Sequence, residues 1–419
     1  AQTNNGYLPF GMDLSYLADN PPEEIIEENS PVPLLRSSTI PETYDLRKLG
    51  YVTEIKNQNP YGTCWAFASI GAMESNYLRQ GGKALDLSEQ HLAWFAFKNT
   101  DKSKAFGSYS SSATFKSVMD HGGNPFYTAA LYGRLDGPVL ETDVPYGTQP
   151  SNSTPDSYEN HNKILRLREA SYLSFGSLNI NSTAASRKNV KQRIIDNGAV
   201  LASYHNDDSN YYQTSSNGIS FYNKQKSTNH AVQIVGWDDN YSSSNFKIKP
   251  SSNGAWLIKN SWGNINPTTN KVDSSYDGYF WMSYEQYLTD GTAFVVEEAN
   301  NDMKAYYYDA LGWTGSSGFS TSSIYFANVF KSERDSEVLT EVAFYTTDNN
   351  INYEINIYTG MTSMPSSSPV YGTSASKTSG AFSFAGYHTV TLDTPVNLTK
   401  NQYFSVVVIL FAAMKCRVY

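Results

Sequence analysis

Cysteine is nearly absent from this chain, which has only Cys64 and Cys416 in 419 residues. At most one internal disulfide can form, so packing has to hold the fold together. Basic residues are also in deficit, 31 Lys and Arg against 40 Asp and Glu. The resulting net charge of −9 disfavours a phosphate-binding surface, and we expect no nucleic-acid partner.

Long hydrophobic runs are missing as well. The longest strongly apolar stretch, YFSVVVILFAA at 403–413, is too short for a membrane-spanning helix, which needs about 20 residues. It predicts a buried strand and no membrane span. Apolar residues nevertheless make up 40% of the chain, with 32 Tyr, so a sizeable core is expected.

Two compositional features favour an extracellular or cell-surface protein. Ser, Thr, Asn and Tyr dominate the loops, and the chain begins AQTNNG without Met, a basic region or an apolar core. That beginning predicts a removed signal peptide or a trimmed chain.

The pattern along the chain changes twice, which predicts three regions. Residues 1–38 are acidic and poorly patterned, as in an extension or propeptide remnant. Residues 39–300 begin with helical periodicity and continue with strands, as in an α+β enzyme with two lobes. Residues 301–419 carry short β patterns between Ser/Gly/Pro loops, which predicts a β-sandwich. The predicted helices begin near 63, 87, 125 and 186, and the predicted strands cover 199–204, 230–238, 254–262 and 277–285.

Four residues could together support thiol chemistry. A catalytic thiol needs a base, a group that orients the base, and donors for an oxyanion. Cys64 stands at a predicted helix start, Gln58 lies six residues before it, and His230 and Asn260 follow in later strands. A lone cysteine is more often an inert buried side chain, but the presence of all four parts favours a nucleophile.

The segments around these residues resemble papain-family cysteine proteases. KNQNPYGTCWAFAS (56–69) is similar to the family's active-site segment, NHAVQIVGWD (229–238) to its histidine segment and LIKNSWG (257–263) to its asparagine segment. The pattern is most similar to the bacterial, clostridial surface-layer-processing branch. The resemblance implies a two-lobed papain-like fold, with a helical lobe and an antiparallel β lobe, followed by a C-terminal lectin-like β-sandwich.

By this resemblance Cys64 is the nucleophile, and His230 is the base that later protonates the leaving amine. Asn260 orients the ring of His230, and Gln58 donates to the oxyanion. Trp262 shields the His230–Asn260 pair from water, although it could also be an ordinary core residue.

The resemblance also implies substrate-binding residues. Gly122 and Gly123 would pair their backbone with an extended substrate, unless they form only a turn. Ala231 and Val200 would line a roomy hydrophobic pocket for the residue two before the scissile bond.

The expected function is a secreted cysteine endopeptidase that hydrolyses protein or peptide substrates through a thioester, for example in processing cell-surface proteins. The chemistry needs no metal or cofactor. The sequence leaves open whether the C-terminal part binds a structural calcium ion, for which we name no ligands. Two alternatives remain: acyl transfer from the same thioester, as in a transpeptidase, and an adhesion protein whose β-sandwich binds a glycan or cell-wall ligand.

The N-terminal region has two interpretations. Its acidic run could be a solvated tail. Alternatively, 1–38 is a propeptide remnant, with GYLPF (6–10) in or near the cleft, and the chain is a zymogen.

Overall fold

The computed structural model describes residues 6–10, 12–22, 39–97, 114–148, 161–176, 183–207, 209–315, 317–318, 323–365, 368, 372–411 and 417–418. The chain divides into two compact units. Unit 1 lies within 1–19 and 32–312, and unit 2 within 20–31 and 313–419. The domain bounds 1–38, 39–300 and 301–419 stay predictions.

Apart from the short helix Phe115–Met119, which was not predicted, the described helices of unit 1 begin close to the predicted starts. They are α1 Cys64–Arg79, α2 Glu89–Phe95, α3 Phe115–Met119, α4 Pro125–Gly133 and α5 Ala184–Asn197. Side-chain caps fix several of these starts: Ser88 accepts a hydrogen bond from the His91 N–H, and Asn124 accepts from the Phe126 N–H. Short 3₁₀ turns occur at Ser15–Ala18, Ser209–Tyr211 and Ser243–Asn245.

The strands of unit 1 form a mainly antiparallel sheet. They are β1 Thr43–Asp45, β2 Leu165–Leu173, β3 Val200–Tyr204, β4 Tyr212–Ser215, β5 Gly218–Phe221, β6 His230–Asp238, β7 Ala255–Lys259, β8 Ile265–Asn266, β9 Lys271–Val272, β10 Tyr279–Ser283 and β11 Thr289–Glu298. Their order is β2-β11-β3-β6-β7-β10-β5-β4, with β1 on β6, and β8 pairs β9 separately.

Helix α1 is the centre of the core of unit 1. Its first thirteen residues, from Cys64 to Asn76, are all buried. The buried Glu74 of α1 binds the ammonium of Lys56 at 2.9 Å, and Glu89 of α2 binds the same ammonium at 2.9 Å. Two buried carboxylates on one cation need good geometry to offset their desolvation. The pairs fix the loop before Gln58 against α1 and α2.

Unit 2 is a β-sandwich, as predicted. Its strands are β12 Ser317–Gly318, β13 Ser323–Lys331, β14 Glu337–Thr346, β15 Ile351–Met361, β16 Thr373–Phe382, β17 Gly386–Leu398, β18 Tyr403–Phe411 and β19 Arg417–Val418. One sheet has the order β13-β18-β15-β16, while β14 pairs β17 and β12 pairs β19. Rings meet between the sheets, since Phe344 of β14 lies 5.8 Å from Tyr353 of β15. The alternating burial of β15 gives this sheet its apolar inner face.

Candidate active site

Cys64 is the first residue of α1, and its side chain is fully buried. The Ala231 N–H, from the start of β6, donates a hydrogen bond to its sulfur at 3.4 Å. Burial raises the pKa of the Cys64 thiol to about 12, while the backbone N–H groups of Ala231, Trp65 and Cys64 act in the opposite direction. While the thiol is buried in this way, it is therefore protonated near neutral pH.

The ring of His230 is held from two sides. Its Nε2 lies 2.9 Å from Asn260 Oδ1, and the Ser261 N–H donates to the same oxygen at 2.9 Å. Trp262 stacks on the ring, with the centroids 4.8 Å apart and the planes at 24°. Burial lowers the pKa of His230 to about 4, and the hydrogen bond to Asn260 opposes this.

The hydrogen bonds also settle the tautomer of His230. Since Asn260 Oδ1 can only accept, Nε2 carries the proton and Nδ1 of the neutral ring does not. Within the described part of the chain, Nδ1 is buried without a hydrogen-bond partner. An unprotonated ring nitrogen in that position can accept a proton from a thiol.

Gln58 is buried in the loop before α1, and its amide is oriented by its neighbours. Its Oε1 accepts from the Ser261 hydroxyl at 2.7 Å, and its Nε2 donates to the Tyr61 carbonyl at 3.2 Å. Its backbone N–H donates to the Ser261 carbonyl at 2.8 Å. The segment that holds Asn260 and Trp262 therefore also positions Gln58.

The N-terminal segment 6–10 lies against this constellation. The Gly123 N–H donates to the Gly6 carbonyl at 3.0 Å, and the Leu8 N–H donates to the Gly123 carbonyl at 3.0 Å. Tyr7 forms a parallel bridge with Gly123, and its N–H donates to the Asn229 carbonyl, directly before His230, at 3.4 Å.

Glycine is required where this segment crosses the loop before Cys64. Gly6 has a φ of +73°, and a Cβ there would lie 1.8 Å from the carbonyl oxygen of Gly62. Gly122 has a φ of +83°, and its Cβ would lie 2.7 Å from the Gly6 carbonyl oxygen. Both positions need the left-handed conformation and the close approach that glycine allows.

The pocket beside Ala231 differs from the predicted one. In the β3–β6 register Ser203 lies opposite Ala231, whereas Val200 lies opposite Ile234. Since side chains alternate along a strand, Val200 points to the other face of the sheet from Ala231. The structure therefore does not bring Val200, the predicted residue, to this pocket. Ser203 lies on the same face as Ala231 instead.

Sequence reasoning also missed Asp290, at the start of β11. The side chain of Tyr7 is 5% exposed, and its hydroxyl donates to the Asp290 carboxylate. Burial, then Asp290, and to a smaller extent Cys64, raise the pKa of Tyr7 well above its usual value. Asp290 precedes a glycine, so its only sequence signal indicates a turn.

In the part of the chain that the structure describes, no group of three or more His, Cys, Asp or Glu is arranged to hold a metal ion. The calcium ion in the C-terminal part stays an untested expectation. No described helix has the length and apolarity to cross a membrane.

Comparison with known families identifies the class of protein. Residues 40–293 match the family model described as "Papain family cysteine protease", and residues 305–415 match "Lectin like domain". Because the first match covers more than half of the chain, this protein belongs to the papain family of cysteine proteases.

Individual relatives agree with this class. A probable cysteine protease of Arabidopsis thaliana, RD19B, is 30% identical over 55% of this chain and 57% of its own length. Mouse cathepsin K is 28% identical over 62% of this chain and 71% of its own length. The chain thus spans little more than half of the plant relative.

Two solved structures resemble both units. One is the clostridial cysteine protease Cwp84 after propeptide cleavage, with a TM-score of 0.72, 28% identity, and 90% of this chain and 86% of that chain covered. The other contains the cysteine protease and lectin-like domains of Cwp84, a surface layer associated protein of Clostridium difficile. It has a TM-score of 0.71 and 27% identity, covering 99% of this chain and 82% of that chain. The papain-like fold with a lectin-like β domain is thereby confirmed.

Proposed function

We propose that this chain is a cysteine endopeptidase that uses Cys64, His230, Asn260 and Gln58. The observation that carries the proposal is the tautomer of His230. Asn260 fixes the proton on Nε2, and the neighbouring Ala231 N–H contacts the Cys64 sulfur. An unprotonated ring nitrogen is therefore available on the residue next to the one that contacts the thiol. The thiol stands at a helix start, where the helix dipole favours thiolate.

The chemistry follows from these positions. His230 Nδ1 takes the thiol proton, and the sulfur attacks the peptide carbonyl carbon. The negative charge that develops on the carbonyl oxygen is stabilised by the Cys64 N–H and Gln58 Nε2. The imidazolium then gives its proton to the departing amine, which leaves a thioester on Cys64. Water, deprotonated by His230, hydrolyses the thioester and releases the acid.

The direct test replaces the nucleophile. Cys64→Ala should abolish both peptide hydrolysis and labelling at this position by a thiol-directed epoxide. Cys416→Ala is the matched control, because it removes the only other cysteine, and it should retain both. Hydrolysis by Cys64→Ala at the parental rate would refute the mechanism.

We further propose that the chain as described is a zymogen in its closed form, which has low but measurable activity. The Tyr7 hydroxyl donates to Asp290, which lies next to Ser203, the residue opposite Ala231. Gly6 crosses the loop at Gly62, and Gly123 is already paired with segment 6–10. A substrate backbone cannot reach Gly123 while segment 6–10 holds it. Release of the segment would admit water, which would bring the pKa values of Cys64 and His230 back towards their ordinary range.

The setting is proposed by analogy. The relative Cwp84 is a surface layer associated protein with the same pair of domains, which supports an extracellular or cell-surface location and a cell-surface protein as substrate. Unit 2 would then bind a glycan or cell-wall ligand. A glycan array probed with the full chain tests this, and the absence of binding, with and without calcium, would contradict it.

A further inference from the structure

We propose that Asp290, together with Ser203, makes this peptidase select tyrosine over phenylalanine at the substrate residue that enters the pocket beside Ala231. By the papain-family resemblance, this is the residue two before the scissile bond. The inference rests on the proposed peptidase function and names the substrate class for the same site.

The carboxylate of Asp290 is held by hydroxyl groups of β11 and β3. The Thr289 hydroxyl donates to Asp290 Oδ2 at 2.9 Å, and Ser203 Oγ lies 3.4 Å from the same oxygen. Asp290 has a φ of +54°, at the point where the β3–β11 register shifts between Thr289 and Thr292. Aspartate tolerates this left-handed conformation better than most side chains.

The partners of Asp290 are hydroxyl groups. No ion pair to Asp290 occurs within the described residues, although buried or half-buried carboxylates are usually paired with a cation. The hydroxyl of Tyr7 supplies the donor that enters from the cleft. Once segment 6–10 leaves, that donor has to come from water or from the substrate.

The discrimination follows from the same physics. A tyrosine ring restores the hydrogen bond to the carboxylate and to Ser203. A phenylalanine ring excludes water from Asp290 but provides no donor, so the carboxylate keeps only the Thr289 and Ser203 hydroxyls. The hydrogen bond lost in the desolvated pocket is not replaced by water, which is unfavourable for a charged acceptor. Sites that hydrogen-bond a substrate hydroxyl reject the analogue that lacks it more strongly than apolar pockets reject a missing methylene.

The test compares three peptides that differ only in having tyrosine, phenylalanine or lysine at this position. It uses the full chain carrying Gly6→Ala to displace the segment. We expect kcat/KM for the tyrosine peptide to be at least about tenfold higher than for the phenylalanine peptide, and not lower than for the lysine peptide. Asp290→Gly suits the positive φ and removes the carboxylate, and it should bring the ratio close to one. Asp290→Asn retains an acceptor oxygen and should keep part of the preference.

A second measurement does not depend on turnover. Alkylation of Cys64 by iodoacetamide, mapped by mass spectrometry in the otherwise unmodified full chain, reports how tightly segment 6–10 is held. Tyr7→Phe and Asp290→Gly should each accelerate it by about the same factor. In the double variant, alkylation should be no faster than in either single variant, because the two substitutions remove the same hydrogen bond.

The outcomes separate the two proposals. Equal kcat/KM for both peptides, or a preference for a lysine peptide over the tyrosine peptide, overturns the pocket assignment and leaves the peptidase standing. If no peptide is cleaved by any variant, the proposed function falls. In that case the alkylation rates alone test whether Tyr7 and Asp290 share a hydrogen bond in the pocket. If the effects of the two substitutions multiply in the double variant, the pocket assignment is overturned.

Discussion

Each unit of this protein buries a histidine, and the two differ in their surroundings. In unit 1, His230 is held by the side chain of Asn260 and lies next to a residue that contacts a thiol. In unit 2, His388 stacks on Phe382 with centroids 3.8 Å apart, and its Nε2 lies 3.1 Å from the Thr346 hydroxyl. Both side chains are almost fully buried. Burial of a histidine therefore does not by itself indicate a reactive site. The residues that surround the ring do.

The largest expected effect tests this contrast directly. His230→Ala removes the only base that the mechanism uses, and kcat should fall by at least about 10⁴-fold. His388→Ala removes a stacked ring from the core of the sandwich, so activity should stay while unit 2 loses about 1–3 kcal/mol of unfolding free energy. Peptide turnover and thermal unfolding, measured on the same preparations, distinguish the two. If His388→Ala abolished turnover in a folded protein, the contrast between the units would be wrong.

The next effect concerns the protonation of the buried thiol. With burial raising the pKa of Cys64 to about 12, the thiolate fraction should grow about tenfold per pH unit between pH 6 and 10. A free cysteine has a pKa of about 8.5. Alkylation of Cys64 in the full chain at pH 8 should therefore be about 10³-fold slower than that of N-acetylcysteine.

The sign of this pH dependence is informative. The raised pKa means that the closed form favours the neutral thiol, so the alkylation rate rises with pH and has no plateau below pH 10. A rate that is already level from pH 6 upwards would mean that the closed form holds a thiolate–imidazolium pair. The burial-based description of the site would then be wrong.

Local sequence patterns predicted much of unit 1, but they did not predict contacts between residues that are far apart in the chain. Cys64 begins α1 as predicted, because the helical period and the preceding Gly-Thr turn are local signals. The prediction that Val200 lies on the same face of the sheet as Ala231 was wrong. A strand's register depends on its partner, and a shift of one residue moves every side chain to the other face. Strand β2 was missed because its buried arginines break the apolar pattern, and Arg166 pairs with Glu297 of β11. Asp290 carries no pattern beyond a turn, and its partner Tyr7 lies 283 residues away.

Glutamine gives the third test of the comparison. Gln58→Ala should lower kcat by about 10²–10³-fold, because it removes one donor to the oxyanion. The control is Gln402→Ala in unit 2, where the backbone N–H, which the substitution keeps, donates to the Thr399 carbonyl. That variant should retain full activity. An unchanged kcat for Gln58→Ala would assign the Gln58 amide a structural role only, through its bonds to Ser261 and Tyr61.

The smallest expected effect decides whether unit 1 is observed in its closed form. Gly6→Ala places a methyl group 1.8 Å from the Gly62 carbonyl oxygen and imposes a side chain on a φ of +73°. Segment 6–10 should then bind less tightly, and both Cys64 alkylation and peptide turnover should rise at least about tenfold, the factor that 1.4 kcal/mol produces. Gly50→Ala is the matched control, because Gly50 has a φ of +75° with nothing within 4 Å of the added carbon. It carries the same backbone penalty without the clash, so neither rate should change. Equal rates in the parent and in Gly6→Ala would show that segment 6–10 does not restrict access to Cys64.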